Sequence, residues 1–230
     1  KTEIVVTLDS LPADGIVPNM ADFIPSQAWW MGQGNTTPLT PGTDTTPGTT
    51  PTTPDNIPSD PVLSKYGNVT ITKAAQDGTT LLGGAEFTIY RDIDNSDTCT
   101  DLDVQGGTVS GTTYTATKIG LPVTTDASPF LPDGTTPNPN LGKVTFVGLL
   151  TSDFYNNAPQ TGTAQITYCL VETKAPDGYN LLADPIPFKV MSEYATDSTT
   201  PVLSIHEMPV VKNMLSNLNN NLPLTGGEGI

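Results

Sequence analysis

Residues 68–90 read NVTITKAAQDGTTLLGGAEFTIY, and this stretch decides the fold class. Val69 and Ile71 alternate with Thr70 and Thr72, the period-2 pattern of a half-buried strand, and a second β-branched run, AEFTIY, follows after a Gly-rich break. Working outward, similar short runs recur as GTTYTATKIG (111–120), GKVTFVGL (142–149), AQITYCLVET (164–173), IPFKVM (186–191), TPVLSIHEM (200–208) and PVVKN (209–213), separated by Gly, Pro, Asp and Asn. Strands at this spacing, with no long helical pattern between them, predict an all-β chain folded as a β-sandwich over residues 62–214. Residues 35–61 are rich in Pro and Thr without apolar periodicity and read as a semi-extended linker. Before it, residues 1–34 carry the alternating run Ile4-Val5-Val6-Thr7-Leu8 and then a turn-rich stretch, the expected closing end of a preceding β domain. Residues 215–230 read as a polar stalk ending in a short peptide.

Composition narrows the function. The 230 residues hold 9 Lys plus Arg against 24 Asp plus Glu, a formal charge of −15 that opposes phosphate backbones and anionic lipid surfaces. Nucleic acid and membrane are therefore not expected partners, and no apolar run approaches the roughly 20 residues of a membrane span. Two Cys and a single His, His206, supply too few ligands for a zinc site or haem and almost no choice of general base, so neither a cofactor, a metal nor an enzyme is expected. With 22 Pro, 21 Gly and only 7% aromatic residues, the profile suits an extended extracellular protein.

Strand parity then exposes a chemical set. Lys73 shares its parity with Val69 and Ile71, Glu172 with Tyr168 and Leu170, and Asn213 with Val211, so three strands aim an amine, an acid and a carboxamide into the core. Burial disfavours a charge on the amine or the acid. A neutral Lys73 amine could attack the Asn213 carboxamide carbon while Glu172 hydrogen-bonds the carboxamide oxygen and shuttles a proton to departing ammonia, giving a Lys-Asn isopeptide bond. The same residues also fit an ordinary Lys73–Glu172 ion pair at the sandwich rim with Asn213 as a strand-end polar residue.

The segments NVTITKAAQDGTTLLGGAEFTIY, VETKAPDGYNLL and VVKN together resemble the signature segments of the CnaB-type, Ig-like domains of Gram-positive surface pilins, and ETKAPDGY resembles their E-box. The resemblance covers residues 66–213. It implies that Lys73 and Asn213 are joined by an autocatalytic isopeptide bond with Glu172 as catalyst, a single turnover that does not make the protein an enzyme. Cys99 and Cys169 are expected to form a disulfide, as actinobacterial shaft pilins often carry one in this domain. Closing a loop of about 70 residues contributes roughly 4 kcal/mol on the chain-entropy model. Leu222-Pro223-Leu224-Thr225-Gly226 matches LPxTG, the pattern a sortase cleaves between Thr and Gly to pass the Thr carboxyl to an amine. The apolar segment, basic tail and N-terminal signal that accompany this motif are not in the sequence, which reads as a fragment. Residues 1–31 are similar to the closing strand of the preceding pilin domain, a resemblance that implies Asn19 as that domain's own isopeptide acceptor. No match is found to the pilin motif whose Lys receives the next subunit.

The acidic loop Asp92-Ile93-Asp94-Asn95-Ser96-Asp97, continuing to Asp101 and Asp103, lacks the Gly and Glu of an EF-hand and reads as a solvated loop, and His206 reads as an edge-strand surface residue. Two functions fit. One is the structural subunit of a covalently polymerised, cell-wall-anchored pilus, with a sortase, neighbouring pilin subunits and peptidoglycan as partners. The other is a wall-anchored adhesin or ancillary pilin in which this domain is a stalk and host or bacterial surface receptors are bound upstream.

Overall fold

The computed structural model describes residues 10–20, 22–23, 57–58, 60–197 and 199–216. Its main strands are β1 (Ile16–Asn19), β2 (Val62–Ala75), β3 (Glu86–Arg91), β4 (Thr117–Thr124), β5 (Lys143–Leu150), β6 (Tyr168–Lys174), β7 (Ile186–Phe188), β8 (Ser204–Glu207) and β9 (Val211–Asn213). A five-stranded sheet is built on β2, which pairs with β1, β5, β8 and β9, and a four-stranded sheet runs β7-β6-β3-β4. Val69 and Ile71 from the first sheet and Phe87, Ile89, Tyr168 and Leu170 from the second meet in one apolar cluster, so the predicted sandwich and its facing positions are present.

The 14-residue β2 strand organises the fold. At the usual strand rise it is about 45 Å long, enough to span the domain from pole to pole. β1 and β5 lie antiparallel to it, while β8 and β9 lie parallel. The parallel register pairs Val211 with Lys73 and Asn213 with Ala75, so the last strand leaves the domain at the end of β2 opposite Val62. Entry and exit therefore sit at opposite poles, on adjacent strands.

Residues 16–19, read from sequence as part of a preceding domain, are hydrogen-bonded into this sheet, antiparallel to Val62–Lys65. The first residues of β2 also bond to the sandwich, the Leu63 and Lys65 carbonyls accepting the Asn157 and Thr151 N–H groups, and the added strand supplies further backbone partners. Asn19 is exposed at the end of that added strand, opposite Val62.

An insertion between β3 and β4 carries one short helix, α1 (Asp101–Gln105), that the strand pattern did not predict. It is nucleated locally: the Asp103 carboxylate accepts the Thr100 backbone N–H at 2.8 Å across its first turn. The Asp92–Asp97 stretch beside it exposes Asp94, Asn95, Ser96 and Asp97, as a solvated loop does, and is pinned to the domain through two buried carboxylates. Asp92 and Asp103 are buried, Asp92 accepting backbone N–H groups from Asp94, Ser96 and Asp97, and Asp103 that of Ile93. Burial, with Asp94 adjacent, holds the Asp92 carboxyl above the usual carboxylate range.

Candidate functional site: a buried lysine, glutamate and asparagine

Lys73 on β2 and Asn213 on β9 lie on neighbouring strands of one sheet, and Glu172 reaches them from β6 of the other. All three are buried, with relative exposures of 0%, 2% and 3%. Parity delivers them: Val69, Ile71 and Lys73 point inward together, as do Tyr168, Leu170 and Glu172. Gly142 closes the site's backbone. Its carbonyl accepts the Lys73 N–H at 2.7 Å, its φ is +68°, and a Cβ there would sit 2.8 Å from the Lys73 carbonyl oxygen, so the turn before β5 needs glycine.

The three polar groups form a closed triangle. Lys73 Nζ donates to Asn213 Oδ1 and lies 3.1 Å from Glu172 Oε1. Asn213 Nδ2 lies 2.9 Å from both Glu172 oxygens, and the Leu182 backbone N–H donates to Oε2 at 2.9 Å. Glu172 Oε1 therefore touches both the amine and the carboxamide nitrogen. This arrangement differs from the expected hydrogen bond from Glu172 to the carboxamide oxygen. An amine has protons to give and the amide oxygen can only accept, so Oδ1 turns to Lys73 and the NH₂ group turns to the acid.

The Phe87 ring, 5.6 Å from Lys73 Nζ, and the surrounding aliphatic cluster keep water away. Burial holds the Lys73 amine below the ordinary lysine value of 10.5, against the opposing hydrogen bond and charge of Glu172. Loss of the proton that the nucleophilic form must shed is thereby eased. Chemically, the site places an amine beside an amide, with one oxygen able to carry a proton between them.

Cys99 and Cys169 form a disulfide with a Cα–Cα distance of 5.6 Å, tying the insertion to β6 as expected. His206 lies on edge strand β8 but is half-buried, its ring stacked on Phe188 at 6.5 Å. The sorting pattern Leu222, Pro223, Leu224, Thr225 and Gly226 lies outside the described residues. Sequence reading missed a second buried lysine, Lys65, whose Nζ donates to the Glu193 carbonyl at 2.9 Å and sits 4.3 Å from the Tyr194 ring centroid. The signal was present, since Lys65 has the parity of Lys73, but the strand was read only from Asn68.

Residues 67–201 match the model of the prealbumin-like fold domain of the SpaA family. The chain belongs to this family. Among relatives of the SpaA-type domain, fimbrial subunit type 1 of Actinomyces viscosus is 34% identical over 241 residues, covering 100% of this chain and 39% of that protein. Fimbrial subunit type 2 of Actinomyces naeslundii is 31% identical over 198 residues, covering 80% of this chain and 31% of that one. The fimbrial protein FimP from Actinomyces oris superposes with a TM-score of 0.44 at 28% identity, over 90% of this chain and 40% of that chain. The SpaA-type chain thus spans less than half the length of these relatives. The pilin-domain resemblance read from the three segments is borne out at the level of the family.

Proposed function

We propose that this chain is a load-bearing segment of a fimbrial subunit and that it crosslinks itself between Lys73 and Asn213. The observation that carries the reading is the position of Glu172 Oε1, 3.1 Å from Lys73 Nζ and 2.9 Å from Asn213 Nδ2. Glu172 takes a proton from the Lys73 amine. The freed lone pair attacks the Asn213 Cγ, forming the Nζ–Cγ bond, and the negative charge gathers on Oδ1. Glu172 then returns a proton to Nδ2, the Cγ–Nδ2 bond breaks, and ammonia leaves. A further Nζ proton passes to Glu172, which ends protonated beside the new amide. The residues are consumed in one turnover, so the protein is not an enzyme.

The fimbrial relatives support placing the segment in a surface pilus. The Leu222–Gly226 pattern supports a sortase as the partner that joins Thr225 to a neighbouring subunit or to peptidoglycan. Intact mass tests the crosslink: the wild-type chain is expected about 17 Da below its sequence mass, from the loss of ammonia, beyond about 2 Da for the disulfide. Glu172→Ala should restore the 17 Da. A wild-type chain at full mass, disulfide aside, refutes the reading.

A further inference from the structure

Beyond Asn213 the chain does not leave the domain at once. Asn180 N–H donates to the Met214 carbonyl at 2.9 Å, and Ser216 N–H donates to the Gly178 carbonyl at 2.8 Å, with Tyr179 bridged to Leu215 between them. The same loop turns back to the reacting set, because the Leu182 N–H holds Glu172 Oε2 at 2.9 Å. Residues 178–182 thus grip the catalyst with one end and the three residues after the acceptor with the other. β9 itself is only three residues long and, among the described residues, pairs with β2 alone. So short a strand has little pairing of its own to hold Asn213 against Lys73.

We infer that residues 214–216 and 178–180 form a positioning latch that seats Asn213 for attack, so that the crosslink closes only once the chain's exit has docked. This rests on the isopeptide reading above. The Nζ–Cγ bond needs the amine, the carboxamide carbon and Glu172 in register simultaneously. An acceptor strand free to fray samples that register rarely, and small misplacements of reacting groups lower rates steeply. The latch takes no part in the proton or electron movements and acts through Asn213 and Glu172 only. It also accounts for Leu182 engaging Oε2, which leaves Oε1 as the oxygen shared by amine and amide.

The test is the rate of the 17 Da loss during timed cell-free synthesis of the full chain, followed by mass spectrometry. Ser216→Pro and Asn180→Pro each remove one donor of the latch and leave Lys73, Glu172 and Asn213 untouched. Each is expected to slow the mass loss about tenfold or more, with a native-like circular dichroism spectrum, whereas Ser216→Ala, which keeps the N–H, reacts at the wild-type rate. In case the proline variants fold poorly, chains ending at Ser216 and at Asn213 make the same comparison, the first expected to react like wild type and the second slowly. If the wild type loses 17 Da and the proline variants and the chain ending at Asn213 keep pace with it, the latch is refuted and the crosslink stands. If the wild type never loses 17 Da, both are refuted.

Discussion

Pulling the domain between the Pro/Thr-rich segment and Thr225 tests the mechanical role most directly, because the expected extension follows from geometry and not from energies. Tension enters β2 at Val62 and leaves β9 after Asn213, at the opposite pole. With Lys73 bonded to Asn213, load passes along residues 62–73, across the new amide and out. That stretch of β2 is already extended, so peeling it adds almost no length, and wild-type protein should show no unfolding step. Glu172→Ala removes the crosslink. Lys73 and Asn213 are then separated by 140 residues of chain, of which the disulfide keeps the 70 between Cys99 and Cys169 closed. The difference is about 70 residues, so the oxidised variant should lengthen by about 230–250 Å at full stretch, and the reduced variant by about 460–500 Å. The assay is single-molecule force extension with and without reductant. The variant's unfolding force will be low, since Lys73 loses its buried partner, but the released length does not depend on that force. A wild-type step of the same size as the variant's would falsify the clamp.

Three other expectations concern stability in the Glu172→Ala background, where unfolding is observable. Asp77, Asp133 and Asp197 each cap a turn by accepting a hydroxyl hydrogen bond from the Thr three residues on and two backbone N–H groups, which lowers each carboxyl to about 2 from 3.8. Because the folded values are depressed, this stabilisation is complete above pH 3.8 and is lost as pH falls toward 2; carboxyl titration by NMR and acid melts should show it, and Asp→Asn at all three sites should flatten that part of the profile. Replacing Cys99 and Cys169 by Ser should cost about 4 kcal/mol in urea unfolding, and a cost near zero would count against the loop-closure account. Lys65→Met should stay within about 1 kcal/mol of the parent, because burial depresses the Lys65 amine below its ordinary value and a thioether of similar length avoids that desolvation; a loss above about 3 kcal/mol would mean the Glu193 and Tyr194 contacts dominate.

Local periodicity determined much of this protein. Val69, Ile71 and Lys73 share a face because a strand repeats every two residues, a property of covalent geometry that holds before any partner strand is known. The same rule set Glu172 beside Leu170 in the core and placed Asn213 with Val211, and a chain with two cysteines left one pairing. The tertiary structure decided what periodicity cannot carry. Pairing of β9 parallel to β2 put Asn213 within reach of Lys73 across 140 residues, and that register depends on long-range backbone hydrogen bonds with no local signature. The joining of Ile16–Asn19 to the sheet, the folding of the Asp92–Asp103 loop around its own carboxylates and the turning of the Asn213 oxygen toward Lys73 are likewise choices among partners that meet only when the chain has folded. Parity says which way a side chain points, and only the assembled sheets determine what it meets there.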